Sequence, residues 1–328
     1  MQRALLLARQ GEGLTRPNPP VGAVLVQSGK IISEGFHKQA GFDHAERACL
    51  KKSPIRNLKS SALYVTLEPC STEGRTPPCT DLILENGIGR VVVGCMDPNP
   101  AHAGRGIRKL RRAGVEVITG VCRAEAQALI APFAKRMLTG LPYVTLKLGV
   151  TLDGRIADSS GQSQWITGPE ARKKVQELRR QADAILVGAG TVRADNPSLL
   201  PRPAKGRAPW RVIAGDDIPA KSNVLADEAA ERTIVLEGSL KKGLRDLAKR
   251  DVMHVLCEGG GELAGSLIRA GLVDEFAIFM APSLLGGTGF PMIGKKGWTL
   301  AAMPQLSFQT LEKTGNDVFI RALPIKEK

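Results

Sequence analysis

Two successive series of short apolar runs alternating with amphipathic stretches restrict this chain to two α/β units. In the first series, strand-like runs at 21–26, 30–36, 62–69, 90–97 and 115–120 alternate with helix-like stretches at 45–52, 80–87, 106–114 and 124–138. Gly87 and Gly114 mark helix ends. The series stops at Thr139-Gly140-Leu141-Pro142, where glycine and proline together interrupt any regular element. A second series follows, with a strand and turn at 143–157, a helix at 169–182, and strands at 184–192, 210–215, 233–238, 253–259, 275–282 and 316–324. At 328 residues the chain also exceeds what one hydrophobic core usually serves, so domains are predicted over 1–141 and 142–328.

Composition narrows the class of protein. Hydrophobic residues make up 43% and charged residues 24%, the balance of a soluble globular chain. No apolar run approaches the ~20 residues that span a bilayer, so no membrane association is expected. The opening MQRALLLARQGEG has a short leucine run and no small-residue cleavage site, which predicts an amphipathic helix of a cytoplasmic protein rather than a secretion signal. Six cysteines scattered over such a chain do not form a disulfide framework, which leaves metal ligation as the sharper use for some of them. The net charge of +14, basic in both halves, favours anionic partners, either nucleic acid or phosphorylated small molecules.

The densest chemical signal is His44-Ala45-Glu46, followed by Pro69-Cys70 and then Cys79. One imidazole and two thiolates supply three tetrahedral zinc ligands, and a fourth position left open distinguishes a catalytic site from a closed structural one. Glu46, two residues beyond His44, points differently from the ligand and suits a proton shuttle. Asp43 is expected to cap the helix that carries them, and Cys79 lies at the start of the next helix, whose dipole favours a thiolate. Taken singly these are a surface histidine, a first-turn glutamate and two buried thiols. Together they match the H-x-E and P-C-x-x-C pattern of zinc nucleobase deaminases, with one departure: eight residues, STEGRTPP, separate Cys70 from Cys79.

That departure, together with PNPPVGAV at 17–24, TLEPC at 66–70, Asp97-Pro98-Asn99-Pro100 and Ala103-Gly104-Arg105-Gly106, resembles the bifunctional deaminase/reductase family of bacterial riboflavin biosynthesis. The resemblance extends over nearly the whole chain. It implies a cytidine-deaminase-like α/β/α sandwich in the first domain, one Zn2+ per chain on His44, Cys70 and Cys79, and catalysis by Glu46. It also implies that Asn18 hydrogen-bonds the pyrimidine and Arg75 helps bind the ribose phosphate. A guanidinium on a Gly-Arg-Thr turn is a reasonable phosphate clamp on its own chemistry. Thr72 stands where the family usually has histidine.

In the second half, Gly259-Gly260-Gly261 follows a strand and opens a helix, an arrangement in which bare N–H groups can cradle a phosphate. The dinucleotide fingerprint is incomplete, since no acidic residue follows the next strand, so a plain Rossmann domain is not predicted. The set Lys147 with TLDG at 151–154, Trp165-Ile166-Thr167, Val187 to Asp195 and Glu258-Gly259-Gly260 resembles the reductase half of the same family, which implies a dihydrofolate-reductase-like α/β domain. By that resemblance Gly149, Trp165, Thr191, Asp195 and the turn of Gly260, Gly261, Glu262, Leu263, Ala264, Gly265 and Ser266 touch NADPH. Ser163, Arg179, Leu199, Arg202 and Glu258 line the substrate site. Thr151 in place of serine and a shortened stretch after Ile213 depart from the family pattern.

The expected function is hydrolytic deamination of a diaminopyrimidine ribosyl phosphate, then NADPH-dependent reduction of its ribosyl to a ribityl chain. The expected partner is that phosphorylated pyrimidine, with no nucleic acid, in a homo-oligomer (dimer or tetramer). A tRNA or free-nucleotide deaminase shares the zinc motif, but the long Cys70–Cys79 loop and the whole second half argue against it. A zinc-stabilised nucleic-acid-binding protein fits the charge and leaves Glu46 without a purpose; steep salt dependence of RNA binding is its signature.

Overall fold

The computed structural model describes residues 1–55, 57–73, 77–204, 207–294 and 296–325. The chain divides into two compact units, Met1–Gly140 and Leu141–Lys328.

The first unit has five strands, β1 (Gly22–Gln27), β2 (Lys30–Phe36), β3 (Ser61–Leu67), β4 (Arg90–Cys95) and β5 (Glu116–Thr119), in the order β2-β1-β3-β4-β5. β1 pairs antiparallel with β2 and β3, while β3, β4 and β5 are mutually parallel. Its helices are α1 (Gln2–Arg9), α2 (Ala45–Leu50), α3 (Cys79–Glu85), α4 (Arg105–Arg112), α5 (Arg123–Leu129) and α6 (Ala131–Thr139). Central strands read as apolar runs because both faces are covered. On one face, Ala45, Cys49 and Leu50 of α2, Ile83 of α3, and Ile107 and Leu110 of α4 form one buried cluster with Leu25, Leu63 and Val91. On the other, Leu5 and Ala8 of α1 pack with Ala126 and Leu129 of α5. Each such aliphatic side chain contributes roughly 1.5–3 kcal/mol when fully buried.

The second unit holds β6 (Tyr143–Thr151), β7 (Arg155–Ala157), β8 (Ala184–Gly188), β9 (Trp210–Ala214), β10 (Thr233–Leu236), β11 (His254–Cys257), β12 (Glu275–Ala281), β13 (Phe290–Pro291), β14 (Leu306–Thr314) and β15 (Asp317–Pro324). Eight of these make one sheet in the order β10-β9-β8-β11-β6-β12-β15-β14, and β7 pairs with β13. The first six are parallel; β15 and β14 close the sheet antiparallel. The helices are α7 (Pro169–Gln181), α8 (Ala189–Asp195), α9 (Asn223–Ala226), α10 (Leu240–Lys249) and α11 (Gly261–Arg269). Leu244, Leu247, Leu263 and Leu267 of α10 and α11 cover one face, together with Val144, Leu146, Leu148 and Val150 of β6. Because side chains alternate along a strand, the Lys147 side chain projects from the opposite face, where Gly149 leaves the backbone bare. There α8 and α9 pack Val192 and Val224 against Ile185, Val187 and Leu256.

Four local expectations change. The stretch 124–138 is two helices rather than one, broken at Ile130 with Pro132 in the first turn of α6. Asp43 does not cap α2: His44 holds the N-cap position, and the Asp43 carboxylate accepts from Lys51 at 2.6 Å instead. The glycine-containing stretch after β8 continues directly into α8. Sequence reading also passed over α10 and β14; β14 is an edge strand whose side chains are mostly exposed, so it lacks the apolar run that betrays a buried strand.

Candidate functional sites

In the first unit, three loop–helix junctions converge. His44 sits at the N-terminus of α2, Cys70 follows β3, and Cys79 is the first residue of α3. His44 Nδ1 lies 3.3 Å from Cys79 Sγ and 3.6 Å from Cys70 Sγ, and one donor atom from each residue lies within 4.8 Å of the others. Bond lengths of ~2.3 Å to sulfur and ~2.0 Å to nitrogen around a tetrahedral zinc place such donors ~3.6 Å apart, so the set fits that ion. The Cys79 N–H donates to Cys70 Sγ at 3.3 Å. Hydrogen bonding from the Cys79 thiol, and then from His44, lowers Cys70 well below an ordinary thiol, while Cys79 is raised by the same contact.

Glu46, 4% exposed, stands beside this set. Burial, reinforced by the negative charge of Cys70, raises its carboxyl to about 7. A carboxyl poised there can both take and return a proton at neutral pH.

The rim is held by two residues that sequence reading did not single out as site residues. His37 is 2% exposed, and burial lowers the pKa of its imidazole, which favours the neutral ring. Its Nδ1 lies 3.0 Å from the Asp43 carbonyl oxygen, which can only accept, so Nδ1 carries the proton and Nε2 accepts from Asn18 Nδ2 at 3.1 Å. That arrangement fixes the Asn18 amide. The only signal for His37 in the sequence is its place in a chain with four histidines. Glu68, inside the TLEPC motif, accepts from the N–H groups of Asp97 (3.2 Å), Gly104 (2.9 Å), Gly106 (2.9 Å) and Ile107 (3.3 Å). It thereby fastens Pro69-Cys70 to the 97–107 loop. A Cβ at Gly106 would lie 2.1 Å from the Pro69 carbonyl oxygen, which is why glycine stands there. Arg75 lies outside the described residues.

In the second unit a cleft of about 1780 Å³ opens at the C-terminal ends of the parallel strands, the usual ligand position in such sheets. Of the residues expected to meet NADPH, Gly149, Trp165, Thr191, Asp195, Gly260, Gly261, Glu262, Leu263 and Ser266 line it. Ala264 and Gly265 do not: both lie on the buried face of α11, Ala264 fully inside the core. Consecutive helix residues turn through all faces, so a seven-residue turn cannot present every side to one ligand. Gly261 is required partly by packing, since a Cβ there would lie 2.4 Å from the Pro291 carbonyl oxygen. Trp165 is 70% exposed, with the Arg172 guanidinium 4.6 Å from its ring centroid.

Ser163, Arg179, Leu199, Arg202 and Glu258 line the same cleft. Ser163 Oγ donates to Asp195 Oδ1 at 3.3 Å. Arg179 grips Glu258 with two hydrogen bonds, Nε to Oε1 at 2.6 Å and Nη2 to Oε2 at 3.0 Å, and Lys147 Nζ stands 3.8 Å from Oε2. Burial pushes the Glu258 carboxyl up, and the charges of Arg179 and Lys147 more than offset it, so it sits below the usual range as a carboxylate. The site thus presents one acceptor-only group flanked by two cations.

Comparison with known proteins agrees with both halves. Residues 1–95 match the cytidine and deoxycytidylate deaminase zinc-binding region, and residues 142–320 match the RibD C-terminal domain. The riboflavin biosynthesis protein RibD of Bacillus amyloliquefaciens is 41% identical over 354 residues, covering 99% of this chain and 95% of that protein. RibD of Escherichia coli K12 is also 41% identical, covering 97% and 96%. Among solved structures, Acinetobacter baumannii RibD superposes with a TM-score of 0.91 at 36% identity, covering 99% of this chain and 98% of that one. The diaminohydroxyphosphoribosylaminopyrimidine deaminase/5-amino-6-(5-phosphoribosylamino)uracil reductase of Thermotoga maritima gives 0.90 at 38%, covering 99% and 97%. The chain therefore belongs to the RibD family of bifunctional riboflavin-biosynthesis enzymes, with a zinc-binding cytidine-deaminase-like domain followed by an NADPH-using reductase domain of dihydrofolate-reductase-like fold.

Proposed function

We propose that the first domain hydrolyses the amine from 2,5-diamino-6-(5-phosphoribosylamino)pyrimidin-4-one, and that the second reduces the ribosyl group of the resulting 5-amino-6-(5-phosphoribosylamino)uracil to ribityl. The observation that carries the first step is the buried carboxyl of Glu46, two residues from His44 and beside three zinc-type donors. His44, Cys70 and Cys79 would hold one zinc ion, which when bound would supply Lewis acidity toward a water molecule at the amine-bearing carbon. Glu46 takes the proton released as that water attacks and returns it to the departing ammonia. Asn18, its amide fixed by His37, orients the pyrimidine, and Arg75 meets the phosphate.

In the second domain, NADPH supplies the hydride and the protein supplies alignment. The N-terminus of α11 at Gly260 offers N–H groups to a cofactor phosphate, with Gly149, Thr191, Asp195 and Trp165 around the same cleft. Glu258, held as a carboxylate, accepts hydrogen bonds from the pyrimidine, while Ser163, Arg179, Leu199 and Arg202 complete the substrate wall.

Two further readings belong with this one. A cytoplasmic setting is supported by six free cysteines. A homo-oligomer is supported by β14, an edge strand with Phe308 62% and Leu311 61% exposed, which a second copy would cover. Replacing Phe308 with lysine should then shift sedimentation toward monomer; an unchanged distribution rules this strand out as the interface.

The test of the function is a coupled assay on one zinc-loaded preparation of the chain. Ammonia release from the diaminopyrimidine should be matched by equimolar NADPH oxidation. Ammonia release without NADPH oxidation, with pre-deaminated substrate also inert, would overturn the assignment for the second domain.

A further inference from the structure

The segment 196–202 forms part of the wall of the second unit's cleft and carries Leu199 and Arg202. Its backbone is not relaxed. Asn196 has φ 40° and Leu199 φ 57°, in the left-handed region that disfavours any residue with a Cβ. Such conformations persist only where the surroundings over-determine them, and they gather at ligand clamps.

Part of the hold comes from the cleft side. Arg179 Nη1 donates to the Leu200 carbonyl at 3.4 Å, and the Arg202 N–H donates to Gln176 Oε1 at 2.8 Å. The rest comes from β9 and α9. The Asn223 N–H donates to Asn196 Oδ1 at 2.7 Å, and its side-chain amide donates to the Asn196 carbonyl at 2.7 Å. Arg211 of β9 is fully buried. Its Nη1 reaches the Ser198 carbonyl at 3.3 Å and Asp227 Oδ2 at 2.7 Å, and its Nη2 donates to the Val224 carbonyl at 3.0 Å. Leu199 and Val224 share one buried cluster, so the strap and α9 are also packed together. A buried guanidinium is costly unless paired, and the Asp227 carboxylate is its ionic partner. Neither Arg211 nor Asp227 lines the cleft, whereas Asn223 does.

We propose that Arg211, Asp227 and Asn223 form a latch that presets the 196–202 strap for the pyrimidine ribosyl phosphate, which makes them positioning residues for substrate recognition by the reductase domain. The inference rests on the reading of Leu199 and Arg202 as substrate contacts. A latch that sets the strap controls the fit of the substrate before chemistry, so its loss appears in KM more than in kcat.

The test uses the full zinc-loaded chain and three variants, Asp227→Asn, Asn223→Ala and Asp227→Glu, with NADPH and 5-amino-6-(5-phosphoribosylamino)uracil. Asp227→Asn and Asn223→Ala should each raise KM for the pyrimidine roughly tenfold, the size of one lost hydrogen bond in the latch. In Asp227→Asn, whose site lies outside the cleft, NADPH affinity, read from nicotinamide fluorescence, and ammonia release should stay within about twofold of the parent chain. Asp227→Glu should recover most of the loss. Unchanged KM in both weakened variants, or KM and NADPH affinity worsening together in Asp227→Asn, overturns the latch. If Asp227→Asn fails to fold by circular dichroism, Asn223→Ala, which leaves the ion pair intact, decides by its KM for the pyrimidine: a rise of about tenfold supports the latch, and an unchanged KM overturns it. A parent chain that cannot reduce the pyrimidine overturns the function reading instead, so the two failures are distinguishable.

Discussion

The two sites of this chain are built on opposite plans. The metal set of the first unit gathers three donor atoms within 4.8 Å around two helix starts and a strand end, beside one buried carboxyl. The second unit spreads its residues around a cleft of about 1780 Å³, drawing on strand ends, the strap 196–202 and the first turn of α11. The contrast follows from the chemistry. Metal ligation and proton transfer act over bond lengths and need a few exact side chains, whereas a dinucleotide and a ribosyl phosphate need a large surface and alignment. Single substitutions in the first site should therefore remove function outright, and those in the second should grade it.

Cys79→Ala is the harshest break of that comparison. It removes one of three donors that no neighbouring described residue duplicates, so metal analysis should find most of the zinc gone and deamination lost. Full zinc stoichiometry in this variant would place the ion elsewhere. Gly260→Trp comes next. A Cβ at Gly260 faces Thr191 Oγ1 at 3.8 Å, so the indole fills the cleft, and reduction should fall by about 10²-fold with deamination intact.

How legible these sites were in the sequence follows the same division. His44, Glu46, Cys70 and Cys79 could be read from spacing because each residue type is tied to its chemistry. His37 escaped because its role, fixing the Asn18 amide, depends on a tertiary contact that no spacing encodes. In the cleft, Gly259-Gly260-Gly261 was legible as a phosphate-type turn and the rest of the stretch to Ser266 came from the family resemblance, yet only the geometry of α11 separates Gly260 and Ser266, which face the cleft, from Ala264, in the core, and Gly265, against the Gly294 backbone. The latch residues Arg211, Asn223 and Asp227 carry no motif at all, since their partners are mainly backbone carbonyls.

A milder effect is expected from Glu258→Ala, which leaves the partly buried Arg179 and Lys147 without their carboxylate. The second unit should lose about 3 kcal/mol in denaturant unfolding, and reduction should weaken. The pH dependence has a definite sign. The folded-state carboxyl lies below its ordinary value of 4.5, so its stabilisation is complete above that pH and is lost as pH falls through the depressed value. Glu258→Gln should flatten that acid limb; an unaltered limb would mean another group controls it.

The smallest effect sets the floor of the comparison. Arg90 and Glu116 form an ion pair at 2.7 Å with both side chains about half exposed, 53% and 52%. Glu116→Gln should cost less than ~1 kcal/mol and leave both activities unchanged. A larger loss would show that the exposed edge of the first sheet matters to the metal site.

The central claim is that one chain carries two independent active sites, and Glu46→Gln tests it most directly. The substitution keeps the shape of the side chain and removes its proton transfer. With zinc content confirmed, ammonia release should drop by ~10²- to 10⁴-fold, while NADPH-dependent reduction of pre-deaminated substrate continues at the parental rate. If a folded, zinc-bound Glu46→Gln chain lost both activities together, the two-site account would be contradicted.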